Sequence, residues 1–507
     1  MSTVTDVRPP TGRFTELLLL LFAIAIVLVA YANVGLATTG SIPAGIVVQG
    51  SGLLIISLGL HLVIRHVAKY ADPLLLPIAT LLNGLGLVMI YRIDIGQGFD
   101  AGNGAATRQL LWSVLSIVLA GAVLWILRDH RILRRYTFTA MAAGFALLLL
   151  PMLPVIGQTV NGSRLWISIG GFTFQPGEIA KICLTVFFAG YLVQTRDALS
   201  LVGRRFMGLQ LPRGRDLGPI LAAWGLSVLI LVAQRDLGSS LLFFGLFVAM
   251  LYLATERLSW IIIGLSLFVG GAFVAWRLFS HVQTRVDLWL DPFAPGLSDQ
   301  VAKGLMGMAH GGMFGTGLGE GYPYETYFAN SDYIVASFGE ELGMVGLFAI
   351  IMLYALLAER GLRTAIGARE GFGKLLAAGL AFSIALQAFV VIGGITRAIP
   401  LTGLTTPFLS AGGSSLLANW IIIALLLRIS DHARRPESER PIEKPRKQAK
   451  RAARESAEAQ ARAKSEADRE AASADTAEIE HSADTHSGDA EAQRPRTTTT
   501  TIEEEKE

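Results

Sequence analysis

The residues best placed for chemistry are acids and bases embedded in apolar sequence. Asp332 opens a run that continues through Glu340 and Glu341 into an unbroken apolar stretch ending near Ala358. If a helix begins near Asp332, Glu340 lies about 12 Å deeper, and adjacent residues point about 100° apart. Glu340 and Glu341 then cannot share one environment, and at least one faces the interior of a bundle. At the lip of such a helix, Asp332 could take a proton from a bound hydroxyl or cap the helix.

Four further clusters accompany it. In "NGSRLWISIGGFTFQPGEIAKICLTVFF", residues 161–188, Pro176 suits a first helical turn and Glu178 the positive end of that helix. Lys181 follows three residues later on the same face, so the two can pair. Gln175 and Trp166 could line the same entrance. "AQRDLGSSLLFF" is a very short outer turn in which Arg235 and Asp236 could pair locally or simply belong to a capped turn. "HVQTRVDLWLDPFAP" carries Arg285, whose guanidinium could bind a phosphate through two parallel hydrogen bonds or join a surface ion pair. "GGITRAIPLTGLTTPFLSAGGSSLLANW" is broken by Pro400 and Pro407, and irregular backbone at that depth must be buried or line a cavity. Its "SAGGSS", with Ser414, offers an anion or sugar cradle, with Arg397 nearby. The histidines are scattered, without the spacing of a metal set, and no nucleotide-binding glycine loop is present.

The elements that position these residues are membrane spans. Of 507 residues, 52% are hydrophobic and 16% charged, and apolar runs of about 20 residues recur. Helices satisfy their own backbone in lipid, so the chain is read as an all-α polytopic membrane protein with twelve spans. These are 16–36, 43–64, 73–91, 108–127, 136–157, 177–194, 218–234, 237–254, 258–280, 334–357, 374–395 and 411–429. With the N-terminus inside, inner segments hold about 18 Lys and Arg and outer ones about 8. That bias predicts both termini in the cytoplasm and the polar clusters opening outward. Residues 281–333 form one long outer loop with a "GGMFGTGLGEG" centre. From about residue 432 the chain lacks large apolar residues and is expected to be a disordered cytoplasmic tail. The single cysteine, Cys183, excludes an intramolecular disulfide.

In order along residues 105–430, these stretches resemble the SEDS family (shape, elongation, division and sporulation), most like its actinobacterial RodA branch, with FtsW as the sister type. "GSRLWI…FQPGEIAK", "QRDLGSS", "RVDLWLDPF", "GGMFGTGLGEG", "NSDYIVASFGEELGMVG" and "IPLTGLTTPFLSAGGSSLLAN" each resemble a family element. Leu165 stands where the family usually has arginine, with Arg164 one place early. Gly177 replaces serine, Arg235 proline and Ala411 tyrosine.

The resemblance implies a cytoplasmic tail at 1–15, additional N-terminal spans at 16–91, a catalytic core at 92–430 and the tail at 431–507; the family core has ten helices, so two spans are extra. It implies a peptidoglycan glycosyltransferase of the bacterial cytoplasmic membrane. Such an enzyme polymerises lipid II, an undecaprenyl-pyrophosphate disaccharide pentapeptide, outside that membrane, for cell elongation and shape. Its partner would be a class B penicillin-binding protein, and no nucleic acid. Asp332 matches the family's catalytic aspartate. Arg285, Arg397, Arg164 or Lys181 would stabilise pyrophosphate, and Glu178 would hold the cavity with Lys181. Gln175, Asp236, Glu341 and Ser414 complete the expected substrate site. No cofactor is certain; a divalent cation, Mg2+ or Mn2+, could share the charge stabilisation, but no ligand set identifies one. The competing readings are a lipid II flippase, which would put polar residues on both sides of the midplane, and a non-catalytic scaffold, whose charges would tolerate removal.

Overall fold

The computed structural model describes residues 11–436 except 44, 100–102, 161, 170–171, 201–204, 207–208, 211–213 and 295–298, together with residues 456 and 460. The chain begins with α1 (Arg13–Thr39), α2 (Ile46–Val67), α3 (Leu75–Gly96) and α4 (Ala105–Ile126), then a single turn, α5 (Ile132–Arg135), and α6 (Thr137–Leu149). A small antiparallel sheet of β1 (Gly157–Val160), β2 (Ser163–Ile169) and β3 (Phe172–Phe174) precedes α7 (Pro176–Ser200). A two-stranded ribbon, β4 (Arg205–Phe206) and β5 (Leu209–Gln210), leads to α8 (Gly214–Ala233), α9 (Leu237–Thr255) and α10 (Ser259–Leu278). Then come α11 (Ser280–Leu290), α12 (Gln300–Gly311), α13 (Ile334–Gly367), α14 (Gly371–Ile395) and α15 (Gly413–Arg434).

Among the described residues, ten helices are long and apolar enough to cross a membrane, and α6 and α8 are apolar but shorter. The chain is thus a polytopic helical membrane protein with the expected apolar segments. α3, α7, α14 and α15 are buried along most of their length, whereas α10 is exposed along most of its own and few residues of α2 are buried. The exposed side chains of those outer helices include Ile55, Leu62, Leu265 and Val269. Apolar surface turned outward is what lipid requires. α3, counted with the N-terminal spans in the sequence, packs on α13 and α15 at the centre. α1 and α2 are tied to each other by a buried charged set. Arg13 Nη1 lies 2.5 Å from Glu16 Oε2, and His61 Nδ1 lies 2.7 Å from Glu16 Oε1. Tyr31 also stacks on Tyr91 at 4.4 Å.

The structure corrects several boundaries. The span expected at 136–157 ends as a helix at Leu149, because Pro151 and Pro154 lack the N–H that would continue it. From Gly157 the chain is already in β1, with Gln158 opposite Trp166 and Ile167 opposite Phe174. The loop at 281–333 contains two helices. α11 is amphipathic, and α12 buries Val301, Ala302 and Gly304 against α13. The span expected at 334–357 continues to Gly367. Residues 431–434, assigned to the tail, belong to α15. Asp431 is buried there, accepting from Tyr70 N–H at 3.0 Å and pairing with Arg435 at 2.6 Å. The chain to Pro436 forms one compact unit. The tail expected beyond it lies, apart from residues 456 and 460, outside the described residues.

Candidate active site

α13 is not a continuous helix. At Gly343 the backbone takes φ 67°, ψ −168°, a conformation open essentially to glycine alone. The break frees groups that a helix would pair internally, and the glycine-rich loop supplies the partners. Thr316 N donates to Glu340 O at 3.0 Å and Gly317 N to Glu341 O at 3.0 Å. On the far side of the break, Met344 N donates to Gly312 O and Val345 N to Met313 O. The same loop receives both carboxylates. Tyr322 N donates to Glu340 Oε1 at 2.7 Å and Gly319 N to Glu341 Oε2 at 3.1 Å. Arg92, from α3, donates through Nε to Glu341 Oε1 at 2.8 Å and through Nη2 to Gly321 O at 2.6 Å. Its guanidinium also lies over the Tyr324 ring. Glu341 is fully buried in this clamp. Both of its oxygens hold protein groups, which places Glu341 in this clamp and not at the Asp332–Arg285 gap. Both glutamates point into protein, so different neighbours satisfy them without either facing lipid. Arg92, one residue past the span expected at 73–91, is inside α3 and 4% exposed.

Asp332 sits differently. α13 begins at Ile334 with Tyr333 as its cap and no capping side chain, so the Asp332 carboxylate is not used to start the helix. The irregular segment at 396–412 lies beside it. There Gly403 takes φ +73°, and a Cβ added at this position would lie 3.8 Å from Asp332 Oδ2 and 3.5 Å from Arg285 Nη2. Carboxylate and guanidinium therefore converge on one small gap that the missing side chain keeps open. α11 brings Arg285 there, and its Nη1 is fixed by Leu401 O at 3.2 Å and Thr402 O at 2.8 Å. Nη2 is the face turned to the gap. Burial pushes Asp332 up to about 6, with the Arg285 charge opposing the rise. Burial lowers Arg285, with Asp236 and Asp332 holding its proton. A carboxylate with an affinity for protons near neutrality is a better base than an ordinary one.

Behind this pair stands a brace. α7 starts at Pro176 as expected, and Lys181 Nζ lies 2.9 Å from Glu178 Oε2. Lys181 Nζ also donates to Gln387 Oε1 at 2.8 Å, and Gln387 Nε2 donates to Thr405 O at 2.9 Å. The ion pair of α7 thus reaches the irregular segment through α14. Asp236 caps α9, accepting from Ser239 N at 2.8 Å, and acts on Arg285 through its charge. Ser410 donates to Ser331 O at 2.6 Å and accepts from Thr406 N, while Gln109 Nε2 donates to Ser410 O. These contacts fix the residue before Asp332 to the segment that carries Gly403.

Other expected ligands are engaged elsewhere. Arg397 donates to Trp289 O and Leu290 O at the end of α11, and Trp289 Nε1 returns a bond to Arg397 O. It still shares a narrow crevice with Arg285, lined also by Leu288, Gly394 and Leu401. The Ser414 hydroxyl accepts from Gln175 N at 2.8 Å, Ala411 N donates to Asn330 O and Gly412 N to Gln109 Oε1. The first N–H groups of "SAGGSS" and the Ser414 hydroxyl thus serve the internal brace in this structure. Arg164 is on the exposed hairpin, donating to Thr159 Oγ1 at 3.1 Å; the structure does not bring it to Asp332. Sequence reasoning missed Gln387, Gln109 and Arg92. Each carries a signal, a polar side chain inside an apolar span, which lipid tolerates only with a partner.

Among the described residues, the carboxylates here are not grouped closely enough to hold a divalent cation by themselves. Glu178 is paired with Lys181 and Asp236 with a helix N–H. Asp332 would be the single protein ligand, and Mg2+ so held would rely on substrate phosphate oxygens.

Comparison with known proteins places the chain. Residues 73–435 match the family described as cell cycle protein, FtsW/RodA/SpoVE. The chain is 48% identical over 440 residues to peptidoglycan glycosyltransferase RodA of Mycobacterium tuberculosis, covering 86% of this chain and 94% of that one. It is 33% identical to stage V sporulation protein E of Bacillus subtilis, covering 72% and 98%. A solved chain from a peptidoglycan synthase complex has the same fold, with TM-score 0.50 at 24% identity over 76% of this chain and 97% of that one. The chain belongs to the FtsW/RodA/SpoVE family.

Proposed function

We infer that this membrane protein is a peptidoglycan glycosyltransferase that polymerises lipid II into glycan strands. Close relatives over most of its length carry the name peptidoglycan glycosyltransferase. The observation that carries the mechanism is the convergence of Asp332 and Arg285 on Gly403. Glycosyl transfer from a lipid pyrophosphate needs a proton acceptor for the attacking hydroxyl and a cation for the leaving group. Asp332 Oδ2 takes the acceptor hydroxyl proton as that oxygen bonds to the anomeric carbon of the donor. The carbon–oxygen bond to pyrophosphate breaks, and Arg285 Nη2 faces the charge left on undecaprenyl pyrophosphate. Arg397 extends the cationic edge along the crevice. Glu178, Lys181, Gln387 and Asp236 act as positioning residues. A divalent cation, if bound with the substrate, would add charge stabilisation at the pyrophosphate. The site opens to the outer side of the cytoplasmic membrane, with both termini inside, as the Lys and Arg bias supports. A class B penicillin-binding protein is the proposed partner, supplying crosslinking of the strands.

The test is lipid II polymerisation by the purified protein with its cognate penicillin-binding partner, wild type beside Asp332→Ala. Glycan ladders from wild type alone, at equal melting temperature, are the expected result. Ladders from both would move the base elsewhere. Ladders from neither, with lipid II translocated in vesicles, would replace the polymerase with a transporter.

A further inference from the structure

Far from Asp332, the opposite end of α15 carries a second cluster. Ser414 and His432 are eighteen residues apart on α15, about 27 Å at helical rise. There the turn between α4 and α5 brings Asp129 and His130 against His432, with one ligand atom of each residue within 4.8 Å of the others. Spacing does not reveal this cluster, because His130 and His432 are about 300 residues apart along the chain.

The environment favours a bound ion over a bare contact. His130 is 3% exposed, and its Nδ1 has no hydrogen-bond partner. Its Nε2 lies against Gly373, while Nδ1 is 3.9 Å from Asp129 Oδ1. A buried imidazole nitrogen without a partner is costly. Two imidazoles meeting edge to face, with ring centroids 5.3 Å apart, do not supply that partner. Asp129 Oδ1 accepts the Arg131 N–H at 2.9 Å. The nearby cations are matched by other groups. Arg131 pairs with Glu370. Arg428 donates to Val67 O and Leu124 O, and Arg435 pairs with Asp431.

We propose that Asp129, His130 and His432 form a transition-metal site of the Zn2+ class that ties the end of α15 to the α4–α5 turn. Two imidazoles and a carboxylate leave a fourth tetrahedral position for water. Ligands about 2.1 Å from zinc sit roughly 3.4 Å apart, so the three close inward on the ion. The ion satisfies His130 Nδ1 and fixes the point at which the chain leaves the membrane core. It lies outside the reaction centre, so its role is structural.

The experiment uses full-length protein purified without a histidine tag, stripped with chelator and then exposed to Zn2+ alone. Bound metal per chain and melting temperature are measured for wild type, His432→Ala and Asp129→Asn. About one ion per chain, together with a rise in melting temperature, is expected for wild type. His432→Ala should lose both responses while still making glycan ladders. Co2+ in place of Zn2+ should give the absorption of a tetrahedral site in wild type alone. Metal retained equally by wild type and His432→Ala would overturn the site, as would wild type that holds no ion. If His432→Ala fails to fold, Asp129→Asn, at a half-buried turn residue, gives the same comparison.

Discussion

Two acid–arginine pairs sit nine residues apart around the start of α13, and they are built for opposite purposes. Glu341 and Arg92 close on each other at 2.8 Å, and each also holds backbone of the glycine-rich loop. Asp332 and Arg285 face a common gap at Gly403, each with one polar atom turned into it. The first pair leaves no face for a ligand, and the second keeps one on each side. A buried charge in a membrane protein therefore signals function only when its hydrogen-bonding capacity is left incomplete. Glu341, the deeper and more improbable residue in the sequence, is the one whose carboxylate is already occupied by protein groups.

The comparison is tested most severely at Asp332. Asp332→Asn keeps the shape but cannot accept a proton, and polymerisation should fall by about 10²- to 10⁴-fold, with melting unchanged. Glu341→Gln should do the reverse in kind. It leaves Arg92 buried without its counter-charge, which costs about 3–5 kcal/mol. The loss should appear as lowered melting temperature and detergent tolerance. Replacing both Arg92 and Glu341 by leucine should recover part of that loss, and failure to recover would mean the clamp rests on the loop alone. Gly403→Ala puts a methyl group between the open pair and forces a left-handed backbone, for about 1–2 kcal/mol. It should reduce kcat/KM more than it reduces melting temperature. A pair as closed as Arg92 and Glu341 would show the opposite ratio.

The acid limb of the rate profile sharpens the same contrast. Below the pKa of Asp332 the proton is already in place and the base is blocked, so kcat/KM should rise with pH to a plateau, with its midpoint at about 6. Arg285 lowers that pKa, so Arg285→Ala should move the midpoint upward as well as lowering the plateau. Initial rates across the acid range measure both. The smallest effect belongs to Arg164→Ala, at an exposed hairpin position, where activity should stay within about twofold, roughly 0.5 kcal/mol.

Much of this was legible in advance because lipid makes polar residues conspicuous. Apolar runs gave the spans, and Pro176 with Glu178 and Lys181 gave the start and inner pairing of α7, which the structure reproduces at 2.9 Å. What escaped were partnerships across the fold. Glu341 reads as a candidate ligand until α3 delivers Arg92 to it. The hydroxyl of Ser414 reads as free until the backbone of Gln175 arrives. Arg397 reads as a cation for phosphate until the end of α11 takes its donors. Local spacing encodes pairs three residues apart, but it does not encode which distant helix fills the remaining valence of each group. Gly403 was invisible for a further reason: its contribution is the side chain it lacks.

The break at Gly343 has a consequence for how such chains can be recombined. The carbonyls of Glu340 and Glu341 are read by Thr316 and Gly317, their carboxylates by Gly319 and Tyr322, and the surplus charge by Arg92. Arg92, the loop at 312–322 and residues 340–345 are thus fitted to one another as one unit. A chimera that imports the glycine-rich loop from another chain without matching positions 92, 340, 341 and 343 will carry an arginine and two acids fitted to a loop that is no longer there.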